Sequence, residues 1–372
     1  MTSLPNRLQP SSGNNQNTIP MTKRIITFAL AAVSAVGALF AQRPSERLYQ
    51  GEDEYPVELS QIVASDPFIL PVEEEGMYYM YSTGGGGKVF SRKSKDLVHW
   101  TRPFVVMEFA PDHWASPRAA SWAAEVHFYK GKYYLFTTSH TASLLEDNPL
   151  SGPVPHRATQ IYVSSSPSGP FETLGDGRPQ TPWEWASLDG TLFIEDGVPY
   201  MVFCHEWLQT IDGTMEALRL TDDLSAAAGE PFTLFKASDA AWAGEEKTAA
   251  DGTLYRSYVT DGAYFFRTGS GRLGMIWSTW GGGEYCLTAA YSASGCLKGP
   301  WEQLEEPLFS RNGGHGMLFR SFDGKDYLCM HWEDRTASRP ARRPIIAPVD
   351  LSGDCLKVLW DDSIPYDNLS AK

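Results

Sequence analysis

The chain has 372 residues, with 31 Lys and Arg against 45 Asp and Glu, a net charge of −14 and a pI near 5.0. Hydrophobic residues at 42 % and aromatics at 13 % can build a large core, which excludes wholesale disorder. An acidic chain without basic clusters argues against nucleic acid as a partner, because phosphate binding needs Lys and Arg to displace counterions. The 12 Trp, 17 Tyr and 18 Phe suit stacking on sugar rings as well as core packing.

In chain order, residues 1–20 are polar and without periodicity, and are taken as an extension upstream of the natural start at Met21. Lys23 and Arg24, an apolar run from Ile25 to Phe40 and small residues up to Ala41 have the form of a secretory signal peptide over residues 21–41. The expectation is cleavage near Ala41 and a secreted or periplasmic protein. The run is too short and too Ala-rich for a membrane span, so no stable membrane insertion is expected. Residues 42–372 would then form one domain. Its five cysteines show no metal spacing. Cys286 and Cys296 offer a local pair across a turn, but apolar surroundings favour buried, unpaired thiols.

The mature part repeats a hairpin five times: Asp66–Gly85, Trp122–His140, Ser187–Trp207, Thr260–Gly281 and Gly313–Trp332. Each is a pair of aromatic and β-branched runs around a turn, such as Lys130-Gly131-Lys132, Glu195-Asp196-Gly197 or Asp323-Gly324. Four units continue into further strands at Val89–Thr101, Ile161–Glu172, Glu216–Ser225 and Leu287–Glu302. With Asp66, Trp122, Asp189, Asp261 and His315 as markers, the steps are 56, 67, 72 and 54 residues. Five such units predict an all-β fold, a five-bladed β-propeller with four antiparallel strands per blade. A plain sandwich would not explain the recurrence. The residues after Ser352, with Val358-Leu359-Trp360, are expected to close the ring, and Arg339–Pro344 to form a surface loop.

In a propeller the innermost strands line the axis, so their first residues converge. Asp66, Glu125, Asp189, Asp261 and His315 would therefore meet at one mouth. Each aspartate alone is an ordinary turn residue. Repeated at one place in successive units, they favour acid/base chemistry, because clustered carboxylates raise at least one pKa.

At these residues the chain resembles the family 43 glycoside hydrolases, five-bladed propellers acting on arabinose- and xylose-containing polysaccharides. The resemblance runs from about Asp66 to Ser352. Its motifs are Asp66-Pro67-Phe68-Ile69, Trp122-Ala-Ala-Glu125-Val, Ser187-Leu-Asp189-Gly-Thr, Thr260-Asp261-Gly262-Ala-Tyr and Gly313-Gly314-His315-Gly316. It implies inversion at the anomeric carbon, with Asp66 as general base and Asp189 holding the acid and raising its pKa; the two reacting carboxyls should stand roughly 6.5–9.5 Å apart. The acid departs from the pattern: the family places Glu before Gly in the fourth blade, where this chain has Asp261. Glu206, at the end of the second strand of blade three, is an equal candidate. A chain without a working acid would only bind sugar. Trp122 and Trp207 are expected to stack on the substrate, beside Glu125 and His315, with Trp114 and Trp280 nearby. His315 corresponds to a histidine that can face a metal on the axis, so a calcium there is a further expectation, although no cofactor is required. The resulting expectation is an exo-acting α-L-arabinofuranosidase on oligo- or polysaccharide, with β-xylosidase, endo-arabinanase or a non-catalytic sugar-binding propeller as alternatives.

Overall fold

Runs such as Met77–Ser82 (MYYMYS) are buried on both faces, which suits aromatic and β-rich strands stacked between neighbouring sheets. Turns with left-handed residues, Lys130-Gly131 and Asp196-Gly197, join them into tight hairpins. The computed structural model describes residues 54–116, 118–333, 335 and 340–360; the signal expected over residues 21–41 and the extension before it lie outside them.

Blade one comprises β1 (Val57–Glu58), β2 (Phe68–Val72), β3 (Met77–Ser82), β4 (Lys88–Ser94), β5 (His99–Trp100) and β6 (Phe104–Glu108), with β2, β3 and β4 paired in order and both β5 and β6 on β4. Blade two is β7 (Trp122–Tyr129), β8 (Lys132–Leu144), β9 (Pro155–Ser164) and β10 (Glu172–Thr173). Blade three is β11 (Ser187–Glu195), β12 (Val198–His205), β13 (Thr214–Arg219) and β14 (Phe232–Lys236), with a single helical turn, α1 (Trp207–Thr210), after β12. A separate hairpin, β15 (Glu245–Thr248) and β16 (Leu254–Ser257), precedes blade four. Blade four is β17 (Asp261–Arg267), β18 (Leu273–Gly281), β19 (Glu284–Ser292) and β20 (Trp301–Gln303). Blade five is β21 (Gly313–Arg320), β22 (Asp326–Glu333), β23 (Arg342–Asp350) and β24 (Lys357–Val358). All pairs within the blades are antiparallel, as the five-bladed propeller requires.

Four apolar clusters lie between the blades. One joins blades one, two and five through Ile69, Tyr81, Leu135 and Phe319. The others join two to three through Phe136 and Phe203, three to four through Val202 and Trp277, and four to five through Ile276 and Leu328. Each fully buried large side chain contributes about 1.5–3 kcal/mol, so the ring is held at every junction by packing.

Two local expectations are corrected, and a third holds in part. Val358 belongs to β24, so the C-terminal segment completes blade five rather than the ring; blade five meets blade one directly, with Tyr78 stacked on Phe322 and its hydroxyl accepting the Phe322 N–H. Arg342 is not on a surface loop but in β23, 4.0 Å from Asp66 Oδ1. Cys286 and Cys296 are unpaired, as their apolar surroundings favoured, but only Cys286, in β19, is buried, while Cys296 is exposed beyond it. Among the described residues, no helix is long and apolar enough to cross a membrane.

Candidate active site

Each innermost strand carries one residue in the left-handed region at the same place: Asp66, Ala123, Asp189, Gly262 and His315, with φ between 46° and 56°. In blades two to five a register shift of the inner hairpin surrounds it. The structural repeat is therefore one residue beyond the sequence marker in blades two and four, at Ala123 and Gly262 rather than Trp122 and Asp261. Aspartate tolerates this conformation better than most residues.

The backbone N–H of each of these five residues is taken by a side chain of the preceding blade. Thr83 Oγ1 accepts from Ala123 at 3.1 Å, Thr138 Oγ1 from Asp189 at 2.9 Å and Asp189 Oδ2 from Gly262 at 3.2 Å. Ser278 Oγ accepts from His315 at 2.8 Å, and His331 Nδ1 from Asp66 at 3.2 Å. A buried N–H without an acceptor costs about 1–3 kcal/mol, so this circuit fixes the blades' heights relative to one another and aims their side chains at the axis.

Three carboxylates converge on one imidazole. His315 Nδ1 lies 3.5 Å from Asp66 Oδ1, 3.8 Å from Asp189 Oδ2 and 3.4 Å from Asp261 Oδ1. Burial alone would lower the pKa of His315, but Asp66, Asp189 and Asp261 push it up to about 10, so it is an imidazolium at neutral pH. Burial would raise the pKa of Asp66; the charge of His315, joined by that of Arg342, outweighs it and holds Asp66 ionised, well below the ordinary carboxylate range. Thr83 also donates to its Oδ2. Asp189 and Asp261 compete for a proton. Asp189 is the more deeply buried and its pKa is raised by burial and by the Asp261 charge; Asp261 stays ionised through its hydrogen bonds with Asp189 and His315. Tyr285 adds a donor to Asp261 Oδ2 at 2.7 Å.

Glu206 lies outside this His315-centred cluster. It follows β12, is buried, and its Oε1 accepts from Arg157 Nη1, while Oε2 is buried with no hydrogen-bond partner among the described residues. Burial raises its pKa; Arg157 offsets this in part, and the Asp261 charge adds to it.

The other expected residues part company. Glu125 is buried deeper in β7, where its partner is His127 at 3.0 Å, and it makes no ion pair with the four-residue cluster. Trp122 is at the mouth, but Arg157 occupies one face of its ring at 4.7 Å and His140 lies 5.6 Å away. Trp207 and Trp280 likewise meet cations, Lys247 at 5.7 Å and Arg335 at 5.0 Å. Trp114 donates to Gln160 and packs against Trp183, which is 45 % exposed and was not anticipated. Also unanticipated were His331, Tyr285, Arg342 and Arg157.

Asp189, Asp261 and His315 bring ligand atoms within 4.8 Å of one another, the set that could hold a cation. Calcium takes six to eight oxygens, so water would complete the shell, and the ion would stand in for the imidazolium proton in balancing the carboxylates.

The sequence profile of the glycosyl hydrolases family 43 matches residues 58–355. An endo-arabinase from Bacteroides thetaiotaomicron is similar in structure, at 36 % identity and a TM-score of 0.69, over 80 % of this chain and 97 % of that one. An α-L-arabinofuranosidase from Lactobacillus brevis shares the fold at 17 % identity and a TM-score of 0.61, over 82 % and 100 % of the two chains. A probable arabinan endo-1,5-alpha-L-arabinosidase C from Aspergillus niger is 25 % identical over 178 residues, 46 % of this chain and 50 % of that protein. A counterpart from Aspergillus fumigatus is 23 % identical over 141 residues, 36 % of this chain. The chain spans about half the length, or less, of these curated relatives.

Proposed function

We propose, from the premise that this chain belongs to the family 43 glycosyl hydrolases, that it hydrolyses α-L-arabinofuranosyl bonds of arabinan-type chains with inversion. The observation that carries the mechanism is the opposite setting of two buried carboxyls at one mouth: Asp66 is held ionised by cations, and Glu206 is raised by burial towards its neutral form. Asp66 takes a proton from the attacking water. Glu206 gives one to the departing oxygen. Asp189, Asp261 and His315 fix the charge around the reacting carbon.

The case against Asp261 as the acid rests on spacing and charge. The oxygens of Asp66 and Asp261 lie 3.5 Å and 3.4 Å from the same nitrogen, which caps their separation at the sum of the two. That is the short edge of the roughly 6.5–9.5 Å used by inverting pairs. Asp261 is also ionised, and an ionised carboxyl has no proton to give.

The sugar and mode of attack come from similarity and shape. The Bacteroides relative, an endo-arabinase, supports arabinan as substrate. The exposed Trp183, packed against Trp114 and His156, supports binding of several sugar units and favours cleavage within chains over the exo action read from the sequence. Export of the chain, on the strength of Lys23–Ala41, is a separate proposal, checked by sequencing the N-terminus of the protein recovered outside the cytoplasm.

The test is to incubate wild type, Asp66→Asn and Glu206→Gln with linear arabinan, xylan and galactan, and to resolve the products. A ladder of arabino-oligosaccharides supports internal cleavage, and arabinose alone from the outset supports exo action. Each variant should lose about 10²–10⁴-fold on arabinan, and the first product should carry the inverted anomeric configuration by NMR. Sugar binding without hydrolysis by wild type would overturn the enzymatic reading.

A further inference from the structure

We propose that Arg157 is the positioning residue of the acid: it holds Glu206 Oε1 as an acceptor and so makes Oε2 the oxygen that carries and delivers the proton. This rests on Glu206 being the acid.

The argument begins with what a guanidinium can do. It has five N–H donors and no acceptor. An oxygen that receives an Arg N–H must therefore present a lone pair, and a proton on that carboxyl sits on the other oxygen. In Glu206 the oxygen held by Arg157 is Oε1, and Oε2 is buried without a partner among the described residues. Arg157 itself is held in β9, its side chain only 8 % exposed, with its guanidinium 4.7 Å from the centre of the Trp122 ring. Trp122 immediately precedes Ala123, the left-handed residue of blade two, so the geometry of the inner strand is passed to the acid through one ring and one cation.

The pair also balances two demands on the acid. Burial raises the carboxyl's pKa towards the neutral form; the guanidinium pulls it back down and keeps the acid from becoming too weak to give the proton up. As the glycosidic C–O bond breaks, its electron pair stays on the leaving oxygen, which takes the proton from Oε2. The negative charge left on Glu206 then faces Arg157. The other charged or titratable groups facing this pair are Asp261 and Cys204 towards Glu206, and His140 towards Arg157.

The experiment compares pH profiles of kcat/KM on arabino-oligosaccharides, and rates on aryl arabinofuranosides with good and poor leaving groups, for wild type, Arg157→Met, Arg157→Lys, Trp122→Leu and Glu206→Gln. Arg157→Met should move the basic limb up by about one pH unit. It should slow oligosaccharides about 10–100-fold while sparing aryl glycosides with good leaving groups. Arg157→Lys should recover part of the loss, and Trp122→Leu should move in the same direction by less. A wild-type basic limb and leaving-group dependence in folded Arg157→Met would overturn the proposal. If Arg157→Met does not fold, the same result in Arg157→Lys and Trp122→Leu together would overturn it. If Glu206→Gln itself keeps the basic limb and leaving-group dependence, the assignment of the acid fails, and with it this role for Arg157.

Discussion

Replacing Gly262 by alanine separates backbone strain from the chemistry of the cluster. Gly262 has φ of +47°, and a Cβ built there stands 2.9 Å from both Cγ and Nδ1 of His315 and 3.1 Å from its Cα. An alanine in the left-handed region costs about 1–2 kcal/mol. Relieving the contact needs a shift of roughly half an ångström, since ordinary contacts begin near 3.4 Å, and overpacking of this kind costs about 1–3 kcal/mol. His315 cannot swing aside freely, because three carboxylates face its Nδ1 and Ser278 holds its N–H. The expected loss is about 2–5 kcal/mol of stability, together with a fall of about 10–100-fold in kcat/KM on arabinan from misplacing the cluster. Gly76→Ala is the matched control. Gly76 has φ of +58° and open space where its Cβ would stand, so it should lose only the strain and no activity. Denaturant melts and initial rates on both variants decide the matter. Gly262→Ala with the melt and rate of Gly76→Ala would refute the claim that the His315 ring packs tightly against Gly262 and cannot swing aside.

Three further outcomes follow from the same geometry. Thr138→Val leaves the Asp189 N–H without its acceptor and breaks the 3.0 Å contact with Thr159; it should cost about 1–3 kcal/mol, read as a lower denaturant midpoint at unchanged m-value. His315 titrates near pH 10 in the fold against 6.5 in an unfolded chain, so its contribution is complete below pH 6.5 and disappears as the pH rises through 10. The stability difference between wild type and His315→Gln should therefore shrink across that window, and a difference independent of pH would refute the imidazolium. Trp183→Ala should raise KM for long arabino-oligosaccharides about 2–10-fold and leave aryl arabinofuranosides unchanged; equal effects on both would remove Trp183 from the substrate path.

The fold was legible because its signals are local and repeated. Turn residues such as Lys130-Gly131 and Asp196-Gly197 stand between runs of the right composition, and five copies reinforce one another. The hairpin Glu245–Ser257 was not anticipated because it occurs once and carries no blade signature. Asp66, Asp189, Asp261 and His315 were legible as a group because the repeat brings them to one mouth. Glu125 was misplaced by two residues of strand, enough to carry it from the mouth to His127 inside the ring. Arg342, Tyr285 and Arg157 were not legible at all. They reach the site from outer strands, where no periodicity says which side chain turns inward.

The departure at the fourth blade also finds its reason in the register. The recurring left-handed residue selects which side chains meet at the axis, and in blade four that residue is Gly262, so Asp261 reaches the cluster from one position earlier. The blade-three junction differs in a related way. In blades two, four and five, the residue paired with the one before the left-handed position is Thr138, Ser278 or His331, and each accepts the next blade's N–H. The corresponding residue in blade three is Cys204, paired with Leu188, and here the carboxylate of Asp189 accepts from Gly262 instead. Asp189 is thereby tied to the backbone that carries Asp261, and the two carboxyls hydrogen-bond to one another. With Asp261 engaged by Asp189, His315 and Tyr285, it is not free to act as the acid. The next carboxyl at that mouth is Glu206, two residues after Cys204, and the substitution of Asp for Glu in blade four and the buried Glu206 in blade three become parts of one rearrangement.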